Sequence, residues 1–183
     1  MNTLPGMLVA LTCGLAAYAD VMPVQDFDLQ RMAGKWYMVG FATNAPWFVN
    51  RRGSMKVGTA VIVPTEGGDM DLTYAHIKDD GTCWKMTHLA QKTETPGRFT
   101  FHSQVWNNDN DMRVVRVLYD NFALIHTIKT KEGVSEVLNK LYTRSPDVGV
   151  ALQQAFADFC TETGILPENV AILPNVNGQC FAT

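Results

Sequence analysis

Between residues 34 and 144 the sequence is a succession of short β-prone runs separated by turn-forming residues. Turn segments such as Asp79-Asp80-Gly81 and Lys131-Glu132-Gly133 separate most runs at hairpin length. Strands that follow one another without intervening helices predict an antiparallel meander and disfavour an alternating α/β fold. The eight predicted strands are 35–43, 55–63, 70–78, 83–91, 98–105, 112–119, 122–129 and 136–143.

A helix is predicted after the last strand. Ser145, Pro146 and Asp147 have the pattern of an N-cap, a first helical residue and a first-turn acid, and Gly164 supplies a stop. One face, which would pack on the sheet, carries the apolar residues Val148, Leu152, Ala155, Phe156, Phe159 and Cys160. A last β-prone run follows at 170–173.

Together these elements predict an all-β fold, an eight-stranded antiparallel up-and-down barrel with one C-terminal α-helix packed outside. Closure of the sheet would remove the exposed strand edges that invite aggregation. An open sheet or a sandwich is the alternative. A barrel of eight strands is wide enough either to be filled by its own side chains or to hold one small ligand.

Residues 1–19 differ in composition from the rest of the chain. No charged residue precedes Asp20, and Ala17-Tyr18-Ala19 has the small-x-small form of a signal peptidase site. The apolar stretch at 7–15 is shorter than the about 20 residues needed to span a bilayer. We therefore expect a secretory signal peptide at 1–19 and a single extracellular domain at 20–183; a short buried helix at the N-terminus is the alternative.

Charge and motif content exclude several classes of function. The chain has 15 Lys and Arg against 18 Asp and Glu, and its longest basic cluster is Arg51-Arg52, so nucleic-acid binding is not expected. The histidines lie on different strands without metal-site spacing, and no phosphate loop or Gly-x-Ser-x-Gly elbow occurs. We expect no metal, no cofactor, no nucleic-acid partner and no membrane insertion, and a monomer. The histidines are His76, His88, His102 and His126.

The cysteines fit an extracellular domain. Cys13 would leave with the signal peptide, so three cysteines remain, which allows one disulfide and one free thiol. Cys160 lies on the apolar face of the predicted helix, whereas Cys83 and Cys180 lie beside turns at element ends. We therefore predict a disulfide between Cys83 and Cys180.

Three segments carry a family resemblance: Gly34-Lys35-Trp36-Tyr37 enters the first strand, Tyr119-Asp120-Asn121-Phe122-Ala123-Leu124 joins the sixth and seventh, and Leu141-Tyr142-Thr143-Arg144 ends the eighth. Together they resemble the lipocalin family and, more narrowly, its lipocalin-type prostaglandin D synthase group. Phe159-Cys160, Leu173-Pro174 and the position of Cys83 fit that group. One block of the family signature is weaker, since Val117-Leu118-Tyr119 replaces the usual Thr-Asp-Tyr. The resemblance implies that Gly34, Trp36 and Arg144 form the closed base, with the Arg144 guanidinium stacked on the Trp36 indole.

With Trp36 and Arg144 at the base, the two-residue period of a strand assigns the inner face of each strand. This face is rich in aromatic residues and Met, as a site for an apolar molecule needs, although a self-filled core has a similar composition. The loop at 44–54, which carries Pro46, Trp47 and Phe48, could cover the opening. The predicted ligand-binding residues are Met38, Ala42, Trp47, Gly58, Ala60, Ile62, Leu72, Tyr74, His76, Trp84, Met86, His88, Phe99, Phe101, Leu138, Lys140 and Tyr142.

Lys140 would lie on an apolar wall, where a cation needs an anion or a hydrogen-bond partner. A ligand carboxylate is one such partner; a protein side chain, or an extended conformation that reaches the rim, is the other. His76 and His88 could donate hydrogen bonds to a ligand or be ordinary packed residues.

The resemblance also bears on catalysis. Prostaglandin D synthases of this family use a cysteine thiolate on the second strand, and the matching position here is Gly58, which has no nucleophile. We therefore expect a secreted, non-enzymatic carrier of a small hydrophobic molecule such as a retinoid, fatty acid or steroid. An isomerase is one alternative, and a defence or interaction protein that uses the outside of the barrel is another.

Overall fold

The computed structural model describes residues 20–175 and Cys180. The predicted signal peptide at 1–19 lies outside the described residues. Strands pair antiparallel with their neighbours in sequence, and β1 pairs with both β8 and β2. The sheet therefore closes into the predicted eight-stranded barrel. Its strands are β1 (Gly34–Thr43), β2 (Gly58–Pro64), β3 (Met70–Ile77), β4 (Cys83–Lys92), β5 (Arg98–Ser103), β6 (Asn108–Leu118), β7 (Phe122–Lys131) and β8 (Val134–Thr143).

The two ends of the barrel are built differently. A short helix, α1 (Leu29–Met32), precedes β1 at what we call the closed end, where the connections β2–β3, β4–β5 and β6–β7 also lie. The opposite, open end carries the connections β1–β2, β3–β4, β5–β6 and β7–β8. The β1–β2 connection contains a second short helix, α2 (Pro46–Val49).

The closed end confirms the predicted base. The Arg144 guanidinium carbon lies 3.7 Å from the centroid of the Trp36 ring, and Trp36 is fully buried. Arg144 also donates hydrogen bonds to the carbonyl oxygens of Lys35 and Tyr119. Gly34 has a φ of +95°, a conformation that favours glycine, and a Cβ there would lie 3.5 Å from an Arg144 nitrogen. The base is thus closed by stacking and by main-chain hydrogen bonds.

Outside the barrel lies α3 (Val150–Glu162), followed by β9 (Val170–Ile172), which pairs with β1. The buried face of α3 is formed by Phe156, Phe159 and Cys160, as predicted. A Cβ on Gly40 would lie 2.7 Å from a Phe156 ring carbon and 2.9 Å from the Leu141 Cβ. The helix therefore approaches β1 at a distance that only glycine allows.

The predicted start of this helix was wrong. The N-cap is Gly149, and Ser145 and Pro146 precede the helix. Ser145 is held instead in a local turn, in which the Asp147 N–H donates to the Ser145 hydroxyl and the Thr143 hydroxyl donates to the Ser145 carbonyl. A Ser side chain can bond the backbone two residues on as readily as it caps a helix.

Two strand boundaries also differ from the prediction. β2 begins at Gly58 and not at residue 55, because 46–54 form helical turns and the Val57 N–H donates to Pro174 rather than to a neighbouring strand. β6 begins at Asn108 and not at residue 112, although the sequence from Asn107 to Asn110 consists of turn-forming residue types. Only Asn107 in this segment has a positive φ, of 47°, so the turn ends before Asn108.

The predicted disulfide is confirmed: Cys83 and Cys180 are bonded, and Cys160 is free and buried. The bridge ties the start of β4 to the C-terminal segment across 97 residues. Among the described residues, no helix is long and apolar enough to cross a membrane.

Candidate ligand-binding site

Register between the strands fixes which side chains face the interior. Met38 pairs with Gly58 on one side and Tyr142 on the other, and Ala60 pairs with Tyr74 and Trp36. Most of the predicted inner-face residues therefore lie on the inner wall as expected.

Ala42 is the exception, and its prediction as a ligand-binding residue was wrong. The pairing of β1 with β8 shifts between Met38 and Gly40, which is a β-bulge. Beyond the bulge Ala42 pairs with Asn139. The Asn139 side-chain amide donates to the hydroxyl of Thr163, the C-cap of α3 outside the barrel, so Ala42 on the same face points outward. The extra residue turns Phe41 inward in its place, opposite Lys140.

The interior is filled in its closed half. Ile62, Leu72 and Phe99 are buried in one cluster with Trp36 and residues of β6 and β7. The cavity left there is about 10 Å³, about the space of one water molecule. These three predicted ligand-binding residues are therefore core residues in this structure.

The half near the open end is more accessible. Tyr74, Trp84, Met86 and Phe101 are only partly buried although they face inward, and His76 is exposed. Inward side chains that remain in contact with solvent line a space that opens at that end. This space is the candidate ligand site.

A polar cluster lies between the filled half and the accessible half. Lys140 Nζ donates to Tyr74 Oη at 2.8 Å, and Tyr142 Oη donates to the same oxygen at 2.6 Å. Burial, and after it the neighbouring Tyr74, raises the pKa of Tyr142, which keeps that phenol protonated and a donor. Lys140 has no carboxylate among its contacts in the part of the chain that the structure describes.

His88 and His76 lie on the opposite wall. His88 is buried and stacks on Phe101 with 4.7 Å between ring centroids, and His76 packs on Trp84 at 4.9 Å. Partial desolvation by the packed rings lowers the pKa of both imidazoles, and the charges of Lys78 and Lys140 lower the pKa of His76 and of His88 further. Both rings are therefore neutral near pH 7 and add no positive charge beside Lys140.

Trp47 holds α2 at the open end. Its indole N–H donates to a Glu136 carboxylate oxygen at 3.0 Å, and Lys129 Nζ lies 4.7 Å from a Trp47 ring centroid. Phe48 is fully buried and packs against Phe41 with 5.1 Å between the centroids. The helix α2 is therefore anchored at the open end by one hydrogen bond and by aromatic contacts.

Sequence reasoning missed several inward residues. Lys129 and Glu136 are paired across β7 and β8 and share the inner face with Lys140, but they were read as strand ends. Extending the period of two by one step from Leu138 would have found Glu136. Phe41 could not have been found in this way, because a bulge has no clear sequence signal.

Two buried hydroxyl groups also face the interior. Thr127 pairs with Leu138 on the inner face, and Ser103 follows Phe101 by two residues on β5. Neither hydroxyl oxygen forms a hydrogen bond within the described residues. A buried hydroxyl without a partner is costly, so both are candidate contacts for a polar group of a ligand.

No thiol faces the interior among the described residues. Gly58 lies on the inner wall, where a Cβ would meet the Ala75 carbonyl oxygen at 3.0 Å. Burial raises the pKa of Cys160 to about 12, and this thiol lies under α3 outside the barrel. Within the described residues no group of three or more His, Cys, Asp or Glu side chains could hold a metal ion.

The fold and the accessible half-barrel define a class of small-molecule-binding β-barrels, and comparison with known proteins gives the family. Residues 33–177 match the model of the lipocalin / cytosolic fatty-acid binding protein family, and the chain belongs to this family.

Several characterised proteins are similar to the chain over most of its length. A lipocalin from Rhinella marina is 37% identical, covering 93% of this chain and 92% of its own. Major urinary protein 20 of Mus musculus is 31% identical, covering 92% of this chain and 90% of its own. Prostaglandin-H2 D-isomerase of Felis catus is 28% identical, covering 86% of this chain and 83% of its own. A solved structure of the siderocalin Ex-FABP, described as having dual ligand specificities, superposes with a TM-score of 0.71 at 27% identity, covering 82% of this chain and 99% of its own.

Proposed function

We propose that this protein is a secreted carrier of a small hydrophobic molecule that has an anionic head group. The observation that carries the proposal is the Lys140–Tyr74–Tyr142 cluster on the inner wall, which supplies an ammonium group and phenols with no carboxylate beside them.

The charge on the inner wall supports an anionic ligand. Two lysines, Lys129 and Lys140, face inward against one inward acid, Glu136, which lies opposite Lys129. The interior is therefore positive, although the whole chain has a formal charge of −3. A carboxylate placed by Lys140 would form a charge-assisted hydrogen bond in a partly desolvated site, where such bonds are strongest.

The side chains above the cluster suit an apolar tail. Met86, Trp84 and Phe101 present flexible or flat apolar surfaces, and burial of a ligand's apolar area contributes about 25 cal/mol per Å² before the costs of association. A fatty acid or a retinoic acid has this combination of one acid and a long apolar body.

Carriage without chemical turnover is the second part of the proposal. Thiol-dependent isomerisation needs an inward thiolate, and the position expected for it is Gly58, while the Cys160 thiol is held protonated outside the barrel. Incubation with the prostaglandin endoperoxide and glutathione should give no isomerisation above background. Turnover above background would overturn this part of the proposal.

Secretion is the third part. The Cys83–Cys180 bridge supports it, because disulfides form and persist in oxidising compartments. Expression in secretory cells should deliver to the medium a chain that begins near Asp20. A chain retained in the cells with residues 1–19 attached would contradict it.

The binding test is a titration of tryptophan fluorescence with a retinoic acid or a polyene fatty acid. We expect saturable quenching, because Trp84 and Trp47 lie at the candidate site. Met86→Trp should fill the site and abolish saturable binding, whereas Leu89→Trp, on the outer face of the same strand, should not. Equal binding by the two variants would place the ligand outside the barrel.

A further inference from the structure

The open end of the barrel carries an unusual share of the exposed apolar side chains. Of the eleven large hydrophobic residues exposed in the described chain, four lie in its connections and a fifth, Val134, is the first residue of β8. Both exposed tryptophans are among these five. Singly exposed apolar residues are ordinary, but a group on adjacent loops marks an interaction surface. We call this group the apolar rim: Trp47, Val49, Val105, Trp106 and Val134.

The residues of the apolar rim lie on one side of the opening. Strands β5 to β8 are neighbours in the sheet, so the tips of the β5–β6 and β7–β8 hairpins lie about 10 Å apart, two strand spacings. Trp47 lies beside the β7–β8 hairpin, since it contacts Lys129 of β7 and Glu136 of β8. Val105, Trp106 and Val134 project at the tips, at 61%, 51% and 67% exposure.

Basic residues lie beside the apolar rim at the open end. Arg51, Arg52 and Lys131 lie at the open end and form no ion pair within the described residues. The acids there are Asp79 and Asp80, which are paired with Lys56 and Lys78, and the exposed Glu132 of the β7–β8 connection. The connections at the closed end carry Glu66, Asp69, Glu94 and Asp120, and Arg31 of α1 and Arg144 place basic groups at the same end. A negatively charged surface would therefore attract the basic groups beside the apolar rim.

We propose that the apolar rim docks the open end of the barrel on an anionic lipid surface. Tryptophan side chains favour the boundary between headgroups and acyl chains, and basic residues near that boundary add attraction to anionic lipids. The rim consists of separate protruding side chains with basic neighbours. This arrangement suits insertion into a lipid surface better than binding to a protein partner, whose hot spots are packed pockets. The protein would rest on the membrane by its loops without crossing it.

Such docking would place the opening of the candidate ligand site against the membrane. A hydrophobic ligand could then pass between the bilayer and the barrel without entering water. The docking does not depend on the identity of the ligand, so it can be tested independently of the proposed ligand binding.

The test is co-sedimentation of the full mature chain with vesicles of phosphatidylcholine, with and without phosphatidylserine. We expect binding to the anionic vesicles that weakens with added salt. The double variant Val105→Ser, Trp106→Ser should lower the partition coefficient at least about tenfold, because it removes the apolar groups that enter the interface. Leu118→Ser, which removes a side chain 58% exposed at the closed end, should bind as the wild type does.

A charge variant separates the electrostatic attraction to anionic lipids from the insertion of apolar side chains. Arg51→Ser, Arg52→Ser should weaken binding to the anionic vesicles and leave weak binding to phosphatidylcholine unchanged. All the substituted side chains are on the surface, and unchanged melting temperatures would verify the fold. Absence of binding to anionic vesicles, or equal binding by the rim and Leu118 variants, would overturn the proposal. So would a self-association of the wild type that the rim variant abolishes, since the rim would then be an interface between copies of the chain.

Discussion

Replacement of Lys140 by methionine should separate the affinity for an acid from the affinity for the corresponding alcohol. Methionine keeps an unbranched apolar side chain of similar length and removes the ammonium group. The Tyr74 and Tyr142 phenols would still bond to each other, since their 2.6 Å contact does not involve Lys140. The head-group site would therefore lose its charge and keep most of its shape.

The size of the effect follows from the environment of Lys140. A hydrogen bond to a charged group contributes about 1.5–3 kcal/mol, or about 10- to 150-fold in affinity. Lys140 is only partly buried, so solvent screens the interaction and the lower end applies. We expect the dissociation constant of a fatty acid to rise about 10- to 30-fold, and that of the fatty alcohol of equal length to change less than about threefold.

The assay is fluorescence or calorimetric titration of both ligands against the wild type and two variants. Lys131→Met is the matched control, because it removes an exposed lysine at the end of β7 and leaves the inner cluster untouched. Equal loss of acid and alcohol affinity would mean that Lys140 supports the shape of the site and not the charge. An unchanged acid affinity would refute the assignment of the head group to Lys140.

Three further predictions concern the frame that holds the site. Trp36→Ala should lower the free energy of unfolding by about 3–5 kcal/mol in urea denaturation, because it empties a fully buried position at the base; a wild-type midpoint would contradict the base assignment. Gly40→Ala should cost about 1–3 kcal/mol because its Cβ would lie 2.7 Å from Phe156, and Phe156→Leu in the same chain should recover part of that loss; additive losses would refute the contact. The Cys160 thiol, with its pKa raised to about 12, should resist alkylation by iodoacetamide in the native protein and react in denaturant; rapid native labelling would show that it is accessible.

The sequence predicted those features that short-range patterns encode. Turn residues and the period of two gave the eight strands, and the environments of Cys83 and Cys180 gave the disulfide. The stacking of Trp36 and Arg144 was accessible only through the family resemblance, since the two residues are distant in the chain. The strands and the disulfide could be predicted because turn residues, alternating side chains and paired cysteines each have one common structural outcome.

The features that were missed depend on tertiary context. The bulge in β1 reversed the expected face of Ala42, and no residue between Met38 and Gly40 signals a bulge by itself. The division of the interior into a filled half and an accessible half depends on how side chains from several strands meet, which the period of two does not encode. Ser145 shows a related limit, since the same side chain suits a helix cap and a local turn.

A ¹³C NMR titration of a carboxyl-labelled fatty acid bound to the protein tests directly whether the head group lies beside Lys140. We expect the Lys140 ammonium to lower the pKa of the bound carboxyl group below its value in water, and the Lys140→Met variant to abolish this decrease. A bound carboxyl group with an unchanged or raised pKa in the wild type, or the same titration in the variant, would contradict the claim that the barrel binds an acid head group beside Lys140.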